Sequence, residues 1–172
     1  MRLRFDEIPK GGLRLNIVDN AWLPSDEFKC HLPATAEVFL DRNGNRVFCE
    51  GSLQVKVELF CDRCLDDFIF PIDTGFKFDL ELIEQDDQRH FAKDHACTDA
   101  EMDVIFLDEP VVDIFSILAQ QVYLAIPDKR LCRKKCLGLC PECGVNLNRE
   151  HCECGKDLSS SPFGVLAKLK QQ

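Results

Sequence analysis

Residues 53–70 read LQVKVELFCDRCLDDFIF. Leu53, Val55, Val57 and Leu59 alternate with Gln54, Lys56 and Glu58. Successive strand side chains point to opposite faces, so this period of two predicts a strand with one buried face. After CDRC the pattern resumes with Phe68 and Phe70. Two strand patterns separated by so short a connection place Cys61 and Cys64 at a hairpin tip, where a tight turn can aim both thiols at one cation.

Upstream, Ala36, Val38 and Leu40 alternate in the same way, and Asn43-Gly44 follows. Asn-Gly is a strong two-residue hairpin signal because both turn positions favour φ > 0. Leu13, Leu15 and Ile17 suggest a short half-buried strand in an otherwise irregular N-terminus, and Trp22-Leu23-Pro24 a turn whose indole anchors the core. Downstream, Phe76, Phe78, Leu80 and Leu82 alternate with Lys77, Asp79 and Glu81, and MDVIFL at 102–107 reads as one more strand. Together these predict a meander of antiparallel strands.

A helix comes next. Asp108 is a candidate cap, with Pro110 tolerated in the first turn. Val111, Phe115, Leu118, Val122 and Ala125 recur at helical spacing, Ile114 and Ile126 broaden the stripe, and Pro127 ends it. So wide an apolar face should cover one side of the sheet. Near the C-terminus, SSSPFGVLAKLK reads as a short capped helix. The expected fold class is α+β: an antiparallel β meander covered by one main helix, with a C-terminal cysteine-rich zinc-knuckle module. Residues 1–131 form the mainly β domain with the CxxC hairpin and the helix. Residues 132–172 form the cysteine module with the short helix packed on it.

The chain has 172 residues, 45% of them hydrophobic, enough to build a core. No apolar run nears the ~20 residues that span a bilayer. The opening MRLRFDEIPKGG lacks the apolar stretch of a signal peptide, so the expected location is cytoplasmic, with no membrane partner. Net charge is −9, unevenly spread: residues 1–126 carry −13 and residues 127–172 carry +4. An acidic whole argues against a generally nucleic-acid-binding surface but allows a local basic patch. Residues 84–101 are polar and acidic, within a span, 79–109, that holds eleven acids and two bases without the spacing of a calcium loop, and they read as solvated loop.

Eleven cysteines is a high and odd number. Cys30, Cys49 and Cys97 stand alone and read as small buried hydrophobes. The other eight form close pairs: Cys61/Cys64, Cys132/Cys136, Cys140/Cys143 and Cys152/Cys154. In a reducing compartment, paired cysteines indicate metal ligation rather than a disulfide framework. In CPECG, Pro141 stiffens a knuckle turn and Gly144 permits close backbone approach. Cys140, Cys143, Cys152 and Cys154 make a self-contained set of four. That leaves Cys132 and Cys136 to join Cys61 and Cys64, giving two zinc ions, each held by four cysteines. A second partition groups Cys132, Cys136, Cys140 and Cys143, and His151 could replace one thiol. Iron–sulphur ligation is a further alternative.

Closed four-thiolate sites leave no position for substrate, and the sequence contains no HExxH, GxSxG or phosphate-binding loop, so no catalytic residue is assigned. A thiol–disulfide oxidoreductase using Cys61/Cys64 is the competing reading. It is weakened because more strand, not a helix, follows this CxxC. A purely structural zinc adaptor is the other alternative.

The strand-borne VELFCDRCLDDF, the helix running into LAIP, the segment CxxxCxGLCPxCGxNLN…CxC and the tail SPFGVLAKLK together resemble the YceD family. The resemblance runs from about Gly51 to the end of the chain. It implies a non-catalytic role in large ribosomal subunit biogenesis, supporting accumulation of 23S ribosomal RNA, with the RNA or a ribosomal protein such as ribosomal protein L32 as partner. Lys129, Arg130, Arg133, Lys134 and Lys135, beside the expected metal sites, are the candidate RNA-binding residues.

Overall fold

The computed structural model describes residues 1–24, 28–83 and 103–154. Two compact units emerge: residues 1–59 with 67–130, and residues 60–66 with 131–172. The first unit is built on a five-stranded sheet in the order β2 (Leu13–Ile17), β3 (Lys29–Asn43), β4 (Arg46–Phe60), β5 (Asp67–Leu82), β6 (Val104–Leu107). A two-stranded ribbon joins β1 (Arg2–Arg4) to β7 (Val111–Asp113), and the helix α1 (Ile114–Ala125) follows directly.

The alternation in the sequence becomes one buried face. Ala36 lies opposite Leu53, Val38 opposite Gly51 and Leu40 opposite Cys49. With Val47, Val55, Val57 and Leu59 they form the core, joined by Ile72, Phe76 and Leu80 from β5. Gly51 is required there. A Cβ at that position would stand 2.6 Å from the Glu37 carbonyl oxygen and 2.6 Å from the Phe76 ring, so the missing side chain is what admits the ring. Cys49 is fully buried, and burial pushes its thiol up to about 12. Trp22 is buried in the same core.

β2/β3 and β3/β4 pair antiparallel, with Gly44 (φ +65°) in the β3–β4 turn. Arg46 bonds Glu81, Gln54 bonds Asp73 at 3.3 Å, and the Cys61 N–H bonds the Asp66 carbonyl at 2.9 Å. These three contacts follow one antiparallel register, so β4 and β5 are the arms of a hairpin whose tip carries CDRC. The two aromatic-rich segments after CDRC form one continuous strand rather than two.

The meander ends at β5. β6 pairs with β5 in parallel, from Asp79 opposite Val104 to Leu82 opposite Leu107, which corrects the expected antiparallel continuation. A parallel neighbour needs a crossover of a dozen or more residues, and the chain between Ile83 and Val104 is long enough for one. The acidic stretch 84–101, Cys97 and the expected helix near 161–170 lie outside the described residues.

The helix also starts later than expected. Val111 and Val112 belong to β7, pairing with Arg4 and Leu3. Two β-branched residues favour a strand, and Asp113 rather than Asp108 caps the helix, its carboxylate accepting from the Ser116 N–H at 3.3 Å. The Met1 carbonyl accepts from the Ile114 N–H at 2.9 Å, so the N-terminal strand β1 is tied to the helix start. Ile114, Ile117, Leu118 and Val122 are buried, and α1 packs on β5 and β1. The helix stops at Ala125, before Pro127.

Candidate metal centre

The second unit is built from two turns of the same design. In the first, the Leu65 N–H donates to the Cys61 carbonyl at 2.9 Å and the Cys61 N–H to the Asp66 carbonyl at 2.9 Å. In the second, the Gly144 N–H donates to the Cys140 carbonyl at 2.9 Å and the Cys140 N–H to the Val145 carbonyl at 2.8 Å. Each turn leaves two sulphurs of a CxxC on one side, under backbone N–H groups. Gly144 has φ +72°, the left-handed geometry that glycine adopts freely, and nothing lies within 4 Å of where a Cβ would stand, so this backbone angle, and not the expected close backbone approach, is what calls for glycine.

The sulphurs gather in two groups. Cys61, Cys64, Cys132 and Cys136 lie within 4.8 Å of one another, as do Cys140, Cys143, Cys152 and Cys154. The alternative grouping of Cys132 and Cys136 with Cys140 and Cys143 does not occur, because the hairpin tip supplies the partners of Cys132 and Cys136. Neither group includes His151, which is exposed. Three members of the first group are buried, whereas Cys143 and Cys154 of the second are exposed.

The donor set fits a tetrahedral metal. Bonds of ~2.3 Å to a central ion put tetrahedral sulphurs roughly 3.8 Å apart. Cys61 Sγ stands 3.8 Å from Cys136 Sγ, and Cys64 Sγ 3.7 Å from Cys132 Sγ. A disulfide requires about 2.05 Å, and all eight thiols are free.

The electrostatics agree. Burial opposes ionisation of Cys61, but backbone N–H groups at Cys132, Cys64 and Arg63 outweigh it and bring the thiol to about 6. Cys136 is lowered too: burial opposes, while the Asn148 amide and the Gly138 N–H prevail. Burial pushes Cys64 up to about 12 and also raises Cys132. In the second group, N–H donors at Cys143 and Glu142 bring Cys140 to about 6. Close sulphurs raise Cys152 and push Cys154 to about 12. Within each group some thiols favour the thiolate and others hold their protons against it. A central cation removes that conflict, because a coordinated thiol gives up its proton.

Residues outside the cysteine pairs brace the first group. Arg63 donates to the Cys136 carbonyl at 2.8 Å, and its own carbonyl accepts from the Leu139 N–H at 3.1 Å. Gly138 (φ +81°) packs so closely that a Cβ would lie 3.1 Å from the Arg63 carbonyl oxygen. Asp66, Asn146 and Asn148 form a hydrogen-bonded chain beside the sulphurs. Sequence reading missed these roles. The only local signals were the arginine inside CDRC and the two asparagines of GVNLN.

The five basic candidates divide between the units. Lys129 and Arg130 belong to the first, Arg133, Lys134 and Lys135 to the second. Lys129, Arg133, Lys134 and Lys135 are exposed and Arg130 is half-buried. Arg133 is engaged with Asn148 Oδ1 at 2.6 Å. No described helix is long and apolar enough to cross a membrane.

Among the described residues, sheet and site define a class: a β-sheet protein with one α-helix and two four-cysteine groups, each close enough to hold a metal ion. The chain belongs to the YceD family, since the family described as "Large ribosomal RNA subunit accumulation protein YceD" matches residues 49–170. A curated relative, "Large ribosomal RNA subunit accumulation protein YCED homolog 1, chloroplastic" from Arabidopsis thaliana, is 28% identical over 160 residues, covering 81% of this chain and 49% of the relative. The chain therefore spans about half the length of that relative. No solved structure matches.

Proposed function

We propose that this protein is a non-catalytic zinc-binding factor in large ribosomal subunit biogenesis, supporting accumulation of the large-subunit RNA. The observation that carries the metal reading is the pair of four-sulphur groups, with sulphur separations of 3.7 and 3.8 Å in the first. Zinc suits two closed, redox-inert thiolate sites on knuckle turns, and it would supply folding free energy rather than a reaction centre. Cys61 and Cys64 then serve as ligands, not as a redox pair. The ribosomal role follows from the family and from the printed name of the chloroplast relative.

In this reading Lys129, Arg130, Arg133, Lys134 and Lys135 contact phosphates of ribosomal RNA, and a ribosomal protein, L32 among the candidates, is the other class of partner. Elemental analysis of protein purified without added metal tests the cofactor: two zinc ions per chain are expected. Iron at that stoichiometry overturns zinc, and empty sites overturn the metal reading. Binding to large-subunit RNA fragments across a salt series tests the partner. Lys134→Glu/Lys135→Glu should weaken binding at every sequence and reduce the salt slope by about two. A slope unchanged by that double substitution removes these residues from the RNA surface.

A further inference from the structure

Asn148 lies in the loop between Cys143 and Cys152, the two halves of the second cysteine group, yet its side chain is spent on the first. Its Nδ2 donates to Cys136 Sγ at 3.3 Å and to Asn146 Oδ1 at 2.9 Å. Its Oδ1 accepts from the Leu137 N–H at 2.9 Å and from Arg133 at 2.6 Å. Both partners of the oxygen are obligate donors, so the amide can sit only one way round, with N–H toward the sulphur. Asn146 continues the chain, donating to Asp66 Oδ2 at 2.8 Å, and Arg149 meets the same carboxylate at 3.0 Å. Asp66 follows the Cys61–Cys64 turn by two residues. One loop thus grips both halves of the first group: Cys136 through Asn148, and the hairpin tip through Asn146 and Arg149.

We infer that Asn148 is a positioning residue for the metal held by Cys61, Cys64, Cys132 and Cys136, and that closure of the second cysteine group braces the first through this loop. The loop runs between two ligand pairs. When an ion joins Cys140/Cys143 to Cys152/Cys154, its ends are fixed and the conformations open to Asn146 and Asn148 are few. When that ion is absent, the N–H···S contact must be won against the entropy of a free loop. An amide N–H on a thiolate sulphur also disperses its charge and fixes its direction, as hydrogen bonds to metal ligands generally do. The two sites should therefore load cooperatively, with the exposed second site controlling the buried first. This inference rests on the metal reading above.

The test uses the full-length, metal-loaded protein. A chelator is added with an alkylating reagent, and mass spectrometry follows which cysteines are modified and when. Asn148→Asp keeps the acceptor facing Leu137 and Arg133 but turns an oxygen toward Cys136. It should speed exposure of the Cys61 group at least tenfold while changing the Cys140 group less than twofold. Cys154→Ser, which opens the second site, should speed exposure of the Cys61 group by a similar factor. Combining the two substitutions should add little more, because both act through one contact.

A second readout needs no release. In the cobalt(II)-substituted protein, Asn148→Ala should move the sulphur-to-metal charge-transfer band to longer wavelength, since a sulphur without its hydrogen bond gives up electron density more easily. Equal acceleration of both groups by Asn148→Asp, or an unmoved cobalt band, overturns the positioning role. A first group indifferent to Cys154→Ser overturns the coupling. Metal absent from the unsubstituted protein would sink the metal reading itself, a separate outcome from either.

Discussion

Leu65 donates its N–H to the Cys61 carbonyl at 2.9 Å with φ at +59°, a conformation that L-residues with a side chain adopt at a cost. It occupies in its turn the place that Gly144 occupies beside Cys140. Its side chain is 64% exposed, so little packing offsets the backbone strain.

Leu65→Gly should therefore stabilise the metal-loaded protein by about 1 kcal/mol. Gly144→Ala should destabilise it by about 1 kcal/mol, through the backbone alone, because nothing lies within 4 Å of a Cβ there. Gly138→Ala should cost more than Gly144→Ala, since its Cβ also presses on the Arg63 carbonyl oxygen at 3.1 Å. Thermal unfolding midpoints of the three variants give the order. A less stable Leu65→Gly would mean that the leucine side chain contributes packing or contact energy of its own.

Gly51→Ala should destabilise the first unit by about 2 kcal/mol, the scale of overpacking in a filled core. The added methyl meets both the Phe76 ring and the Glu37 carbonyl oxygen at 2.6 Å. Trimming Phe76 in a double variant should restore only part of the loss, because the carbonyl obstruction remains. Denaturant midpoints measure both steps, and full rescue would show that the ring alone sets the constraint.

Metal loading should release protons, and acid should reverse it. Cys64, near 12, and Cys132, also raised, carry protons at neutral pH, whereas a coordinated sulphur carries none. Loading the first site at pH 7 should therefore release at least two protons. The sign follows: falling pH adds protons that compete with the metal, so affinity weakens, and rising pH strengthens it. Calorimetric titration in buffers of different ionisation enthalpy counts the protons. A value of zero would contradict the thiol states described here.

Chelation should open the eight paired cysteines to alkylation while Cys49 stays unmodified. Cys49 sits fully buried in a core made within the first unit, with its thiol held up at about 12 by burial. It resists both as an inaccessible atom and as a poor thiolate source. Labelling of Cys49 at the rate of the paired cysteines would show that the sheet unfolds when the metal leaves.

Strand identity was legible because alternation is local. Leu53, Val55, Val57 and Leu59 declare a buried face whatever lies across from them, and Gly44 declares its turn. The helix start was misread at Asp108 because Val111 lies on the helical stripe, and only its pairing with Arg4, over a hundred residues earlier, makes it strand. The parallel sense of β6 was equally hidden, since direction depends on how a long connection crosses and not on the residues that pair. In the site, spacing sorted the cysteines into pairs, but the arginine of CDRC and the asparagines of GVNLN gave no sign of what they bond, because a hydrogen-bonding side chain gains its role only from what the fold places beside it.

By itself, then, the sequence determined the short-range physics: which faces are apolar, that Gly44 marks a turn, and which thiols come in twos. The tertiary structure alone decided what depends on distant chain segments meeting. It set the sense of the last strand, the pairing that delays the helix, the 3.7 and 3.8 Å spacings joining the hairpin tip to Cys132 and Cys136, and the amide that Asn148 turns toward Cys136. All but the last of these contacts close long loops, and no local propensity records where a long loop will close.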